Sequence, residues 1–163
     1  MRQLHCQSVE KRMKLSNKGR YAVRAMFDLS FHGEGVAAQI KDVAERQAIP
    51  LRFLEQIFQD LRRAGLVTSK RGPRGGYQLG RVAHEISLGD IFRALEGALA
   101  VYAGEDEAVE GDPASIAVTD AAFRELSGRI EACFDGVTLE ELCERAQRQG
   151  LRKNAPAGYI YVI

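Results

Sequence analysis

The feature that most constrains the fold is a change of hydrophobic period at Gly65. Before it, Leu51, Leu54, Ile57, Phe58 and Leu61 recur at the spacing of one helix face. After it the pattern alternates, so that Leu66-Val67-Thr68-Ser69-Lys70 reads as a strand and Tyr77-Gln78-Leu79 as its partner. Between them lies Arg71-Gly72-Pro73-Arg74-Gly75-Gly76, in which three glycines supply the backbone angles of a tight reversal and one proline stiffens it. A helix closed by Gly65 and followed at once by a hairpin with two arginines at its tip leaves few folds open.

The residues upstream narrow them further. Pro50 lacks a backbone donor and suits the first position of the apolar-striped helix. A shorter helix precedes it from Gln39 to Gln47, with Ile40, Val43 and Ala44 on its apolar side and Ala48-Ile49 as the break. Two such helices, the second opening directly out of the turn, outline a helix-turn-helix, and a hairpin after the second helix is a wing. Ser16 or Asn17 caps an earlier helix carrying Ala22, Ala25, Met26 and Leu29, which Gly33 and Gly35 end. Residues 1–12 show no period and read as a flexible extension, which leaves 13–97 as a winged helix-turn-helix domain.

Downstream, Ser87 and Asp90 form a capping pair for a helix with Ile91, Phe92 and Leu95, ending near Gly97. Residues 98–118 read as an acidic loop, since Gly104 to Pro113 holds five acidic residues and two glycines without an apolar period. Residues 119–163 read as a long helix followed by a C-terminal helix and tail. Thr119 is placed to cap the long helix, whose face carries Ala122, Phe123, Leu126, Ile130, Cys133 and Phe134 and needs a partner. Thr138-Leu139-Glu140-Glu141 starts the last helix, with Leu142, Cys143 and Ala146, and Tyr159 to Ile163 reads as a short strand. The expected class is mainly α with a small β-hairpin.

Charge sharpens the functional reading. The chain of 163 residues has a net charge of only +1, but residues 1–81 hold 16 Lys and Arg against 7 Asp and Glu, whereas 82–163 hold 7 against 15. The basic half suits a polyanion, because Lys and Arg that neutralise phosphates release condensed counterions. The side chains left off the apolar stripe of the second helix include Arg52, Glu55, Gln56 and Gln59. Arginine bonds guanine, glutamine bonds adenine and glutamate accepts from the cytosine amino group, so this face can read double-stranded DNA. Arg71 and Arg74 stand where a hairpin enters a narrow minor groove, whose focused negative potential accommodates arginine.

Other classes find less support. No stretch approaches the roughly 20 apolar residues of a membrane span, and the polar start lacks the apolar run of a secretory signal, so a cytoplasmic location with no membrane partner is expected. Cys6, Cys133 and Cys143 are odd in number and lack CxxC spacing, while His5, His32 and His84 are scattered. No catalytic residue, metal or cofactor is therefore expected, and the chain does not read as an enzyme. A phosphate cradle at Gly72, Gly75 and Gly76 is disfavoured because such loops lead from a strand into a helix, not into a second strand.

Three stretches carry a resemblance: Leu15-Ser16-Asn17-Lys18-Gly19-Arg20-Tyr21-Ala22-Val23, then Leu51-Arg52-Phe53-Leu54-Glu55-Gln56-Ile57-Phe58, then Gly65-Leu66-Val67 through Arg71-Gly72-Pro73-Arg74-Gly75-Gly76-Tyr77. With Thr138-Leu139 they make the chain, from about Met13 to about Ala146, resemble the Rrf-two (BadM) family of bacterial winged-helix regulators. The resemblance implies a homodimer in which the long helix crosses its twin, DNA reading by Arg52, Glu55 and Gln56, a wing arginine at Arg71, and most often repression through a partly palindromic operator. Lys18, Arg20 and Tyr21 are expected to hold the DNA backbone, and Phe123, Leu126, Ile130 and Phe134 to form the dimer interface. Cluster-binding members of that family place three close cysteines in the interval that is Ala98 to Val118 here, and this interval has none. Two further readings remain open: a module whose acidic loop and tail dock a metabolic enzyme, and a sensor with a cluster held by noncysteine ligands or by Cys133 across the dimer. The effector, small molecule or protein, is unspecified.

Overall fold

A computed structural model describes residues 15–33, 35–72, 75–99 and 111–153. Helix α1 spans Asn17–Gly33, α2 Ile40–Gln47 and α3 Leu51–Arg63; strands β1 (Val67–Lys70) and β2 (Gly76–Leu79) follow, then a 3-10 turn at Ala83–Glu85, α4 (Leu88–Glu96), α5 (Pro113–Asp135) and α6 (Leu139–Arg148). The fold is mainly helical with one antiparallel hairpin, as the change of period at Gly65 requires. Arg74, the acidic residues from Glu105 to Glu110 and the expected strand Tyr159–Ile163 lie outside the described residues.

Local chemistry sets most of the boundaries. Ser16 Oγ accepts from the Gly19 N–H at 2.9 Å at the start of α1, satisfying a donor that the helix itself cannot. Ala48 turns the chain between α2 and α3 at φ 48°, a left-handed conformation costly for a side chain with a Cβ and held by N–H bonds back to the end of α2. Pro50 occupies the cap of α3 rather than its first turn, so Leu51 is the first helical residue. Ser87 and Asp90 form a full capping box on α4, their side chains each accepting from the other's backbone N–H.

One boundary departs from expectation. The long helix begins at Pro113, six residues before Thr119, inside the stretch read as loop. Asp112 accepts from the Ser115 N–H at 2.9 Å and Pro113 fits the first turn, which together make a stronger start than Thr119. Thr119 lies within the helix, its hydroxyl donating back to the Ser115 and Ile116 carbonyls.

Helix α1 is the central post, packed against α2, α3, α4, α6 and β2. Its Ala22, Ala25, Met26 and Leu29 meet Leu54, Ile57, Phe58 and Leu61 of α3, Val43 of α2, Ile91 of α4 and Leu139 of α6 in one buried core. Each of the larger side chains, from Val to Phe, contributes about 1.5–3 kcal/mol on burial. Gly19 lets α4 approach closely, since a Cβ there would stand 2.2 Å from a Phe92 ring carbon. Asp28, wholly buried in α1, is satisfied by the guanidinium of Arg46 at 2.6 Å and the amide of Gln47 at 3.0 Å, which ties α1 to the end of α2. That hydrogen bond also raises the pKa of Arg46.

Helix α5 leaves this core. Twenty-three residues at about 1.5 Å each make a rod about 34 Å long. Its main packing partner is α4, through the Phe92 and Phe134 rings at 5.1 Å and an Arg93 to Asp135 ion pair at 2.6 Å. Helix α6 then returns to α1, guided by backbone bonds from Leu88 to Val137 and from Leu139 to Ile86, both 2.9 Å.

Candidate nucleic-acid interface

Helix α3 divides cleanly into two faces. Leu54, Ile57, Phe58 and Leu61 are fully buried, while Arg52, Glu55, Gln56 and Gln59 are exposed. The four polar positions stand at i, i+3, i+4 and i+7, so they share one side of the helix. Arginine and the two glutamines supply donors, and the glutamines and glutamate supply acceptors, a mixed set suited to base edges.

The hairpin stands beside that face. Its strands pair Val67 with Leu79, Thr68 with Gln78, Ser69 with Tyr77 and Lys70 with Gly76. Tyr77 packs on Phe58 of α3 with ring centroids 4.5 Å apart, so the buried side of the helix holds the base of the wing. Ala38 adds a third strand position by exchanging two backbone bonds of 2.8 Å with Tyr77. A Cβ at Gly76 would lie 2.2 Å from the Ala38 carbonyl oxygen, so only glycine admits this contact. Lys70 and Arg71 are exposed where the hairpin turns.

The N-terminal candidates lie along α1. Arg20 is exposed, whereas Tyr21 is half-buried, its ring edge-on to Phe53 at 5.7 Å with the Arg24 guanidinium over its face. Lys18 reaches Asp60 of α3 at 2.7 Å, and Arg63 bonds the same carboxylate. The hydrogen bond from Lys18, more than any other contact, holds the Asp60 carboxyl below the usual aspartate range. Lys18 therefore has a structural partner that sequence reading missed. The Asp28 to Arg46 pair was missed too, although an aspartate amid the apolar positions of α1 marked it. The Ala38 strand position left no signal, because one residue cannot show an alternation.

The candidate interface residues of α5 form a second group. Phe123 is 48% and Leu126 45% exposed, while Ile130 and Phe134 are half-buried, Phe134 against Phe92 of its own chain. Among the described residues no group of three or more His, Cys, Asp or Glu is placed to hold a metal ion. Cys133 is exposed on α5; Cys143 on α6 lies 3.3 Å from the Ser30 hydroxyl, and burial raises its thiol pKa, which disfavours the thiolate that a metal needs. These donors do not fit a three-cysteine site. Among the described residues no helix is long and apolar enough to cross a membrane.

Known proteins share both the sequence and this architecture. Residues 15–145 match the family model described as Rrf2, iron-dependent transcriptional regulator. The HTH-type transcriptional regulator IscR of Aliivibrio salmonicida is 43% identical over 131 residues, covering 80% of this chain and 77% of the relative. IscR of Pectobacterium atrosepticum is 41% identical over 132 residues, covering 80% and 79%. Among solved structures, IscR of T. potens superposes with a TM-score of 0.69 at 35% identity, covering 87% of this chain and 94% of that one. CymR (YrzC), titled the global cysteine regulator of B. subtilis, superposes with a TM-score of 0.68 at 33% identity, covering 82% and 98%.

Proposed function

The chain belongs to the Rrf2 family of transcriptional regulators, and from that premise we propose that it is a cytoplasmic homodimeric repressor that reads a partly palindromic DNA operator. The observation that carries the reading is the exposed row of Arg52, Glu55, Gln56 and Gln59 on a helix whose other face is wholly buried, with the Arg71 hairpin held beside it. In this reading α3 enters the major groove, where the four side chains meet bases or flanking phosphates, and Arg71 and Arg74 clamp the adjacent minor groove. Arg20, Tyr21 and Lys18 hold the backbone, Lys18 from its station beside Asp60.

The dimer joins through α5, where Phe123 and Leu126 keep nearly half of their surface exposed and continue the apolar face of Ile130 and Phe134. A two-fold axis across that helix presents two reading heads, matching half-sites about 34–36 Å apart, one turn of the duplex. In this reading the signal is not taken through a three-cysteine cluster, because the interval from Ala98 to Val118 has no cysteine.

Selection of bound duplexes from genomic DNA, followed by titration at several salt concentrations, tests the proposal. Specific binding that weakens steeply with salt, relaxed sequence preference for Glu55→Ala and weakened binding for Arg52→Ala are expected. Failure to enrich any sequence would remove the regulatory reading.

A further inference from the structure

Two polar contacts of different kind join the hairpin to the residues that lead into α2. One is the backbone exchange between Ala38 and Tyr77. The other is a side chain: Gln39 Nε2 donates to the Gly75 carbonyl at 3.1 Å. Gln39 is the residue before α2 and makes no side-chain cap on its own helix. Ser, Thr, Asp or Asn would ordinarily stand there and accept from the first turn. The longer amide instead crosses to the last residue before β2.

We propose that Gln39 is a positioning residue for DNA recognition, setting the angle at which the Arg71 hairpin stands against α3. The inference rests on the reading of that hairpin as a minor-groove arm. Two bonds exchanged by one residue pair fix a point on a strand but leave it free to pivot there. A third bond, from the neighbouring residue to a carbonyl two positions along, fixes the direction. Gly75 is the right place for it: its N–H donates to the Gly72 carbonyl at 2.8 Å, so the strand base and the turn beside Arg71 move together. Phe58 against Tyr77 supports the base from the α3 side but does not reach the turn.

The test is a double-mutant cycle in the full chain. Gln39→Ala and Gln39→Met, the latter similar in length without a donor, are each combined with native Arg71 or Arg71→Ala. The probe is a fluorescent duplex carrying the site that the native protein enriches from random-sequence DNA, titrated at one fixed salt concentration. A lost hydrogen bond of ordinary strength predicts about twofold to tenfold weaker binding by either Gln39 variant when Arg71 is present. No further weakening is expected in the Arg71→Ala background, with thermal midpoints unchanged throughout. Equal weakening in both backgrounds, or none in either, overturns the proposal. Full-strength binding by Arg71→Ala alone would instead remove the minor-groove reading of the wing, and this inference with it.

Discussion

Helices α3 and α5 carry the same kind of pattern and put it to opposite uses. Both have apolar residues recurring at helical spacing, opposed by polar side chains in α3 and largely by alanine and glycine in α5. In α3 the stripe from Leu54 to Leu61 is completely buried by the chain's own α1, α2 and hairpin, so what the helix offers outward is its polar face. In α5, Phe123 is 48% and Leu126 45% exposed, so part of its apolar stripe faces outward. An apolar stripe thus names a face that must be covered without saying whether the cover comes from the same chain. The two helices also end differently in their anchors: Asp60 of α3 is tied to Lys18 of α1, and Asp135 of α5 to Arg93 of α4.

The largest effect should come from breaking the closed stripe. Phe58→Ala empties a fully buried site and removes the ring beneath Tyr77, which predicts a loss of about 3–5 kcal/mol in urea denaturation followed by circular dichroism, a large share of the stability of a typical domain. The open stripe should respond otherwise. Phe123→Glu with Leu126→Glu should leave the folded protomer intact but raise the dimer dissociation constant at least about a hundredfold, or about 2.8 kcal/mol, by analytical ultracentrifugation. Loss of the fold in that variant would mean that α5 is closed by its own chain, and the contrast would fail.

A smaller change is expected at the polar face of α3. Arg52→Ala should cost about 1–3 kcal/mol of operator binding while leaving the urea midpoint in place, since the side chain is exposed. If stability falls instead, the two faces are not independent.

The anchors should matter least. Asp60→Asn and Asp135→Asn should each cost at most about 1 kcal/mol, since both pairs lie partly in solvent. Lys18 holds Asp60, and Arg93 holds Asp135, below the ordinary aspartate range. A carboxyl whose folded pKa is depressed stabilises above its unfolded pKa and loses that contribution as pH falls through the folded value. Either Asn variant should therefore flatten the acid limb of the stability curve and leave its neutral limb with the same slope.

Much of the region from α3 to α4 was legible because its signals are local. Gly65, with φ 72°, ends α3 and the period changes there; Ser87 and Asp90 cap α4 through their own backbone. The start of α5 was misread because Thr119 and Asp112 are both acceptable caps, and position alone does not rank them. The partners of Asp28 and Lys18 were hidden for a different reason. A carboxylate 18 residues from Arg46, or 42 from Lys18 in the case of Asp60, meets its cation only once the helices pack.

The order of amino acids by itself decided that α1 to α4 are helices and that a hairpin follows α3 at Gly65, that one half is basic and the other acidic, and that Arg52, Glu55, Gln56 and Gln59 share a side. Periodicity, capping and charge act within a few residues, so no folded partner is needed to read them. Only the tertiary structure decided that the α3 stripe is fully buried while Phe123 and Leu126 of α5 stay partly exposed, that Lys18 leans on α3, and that Gln39 reaches the wing. Those outcomes depend on distances between segments remote in the chain, which packing alone brings within a few ångströms.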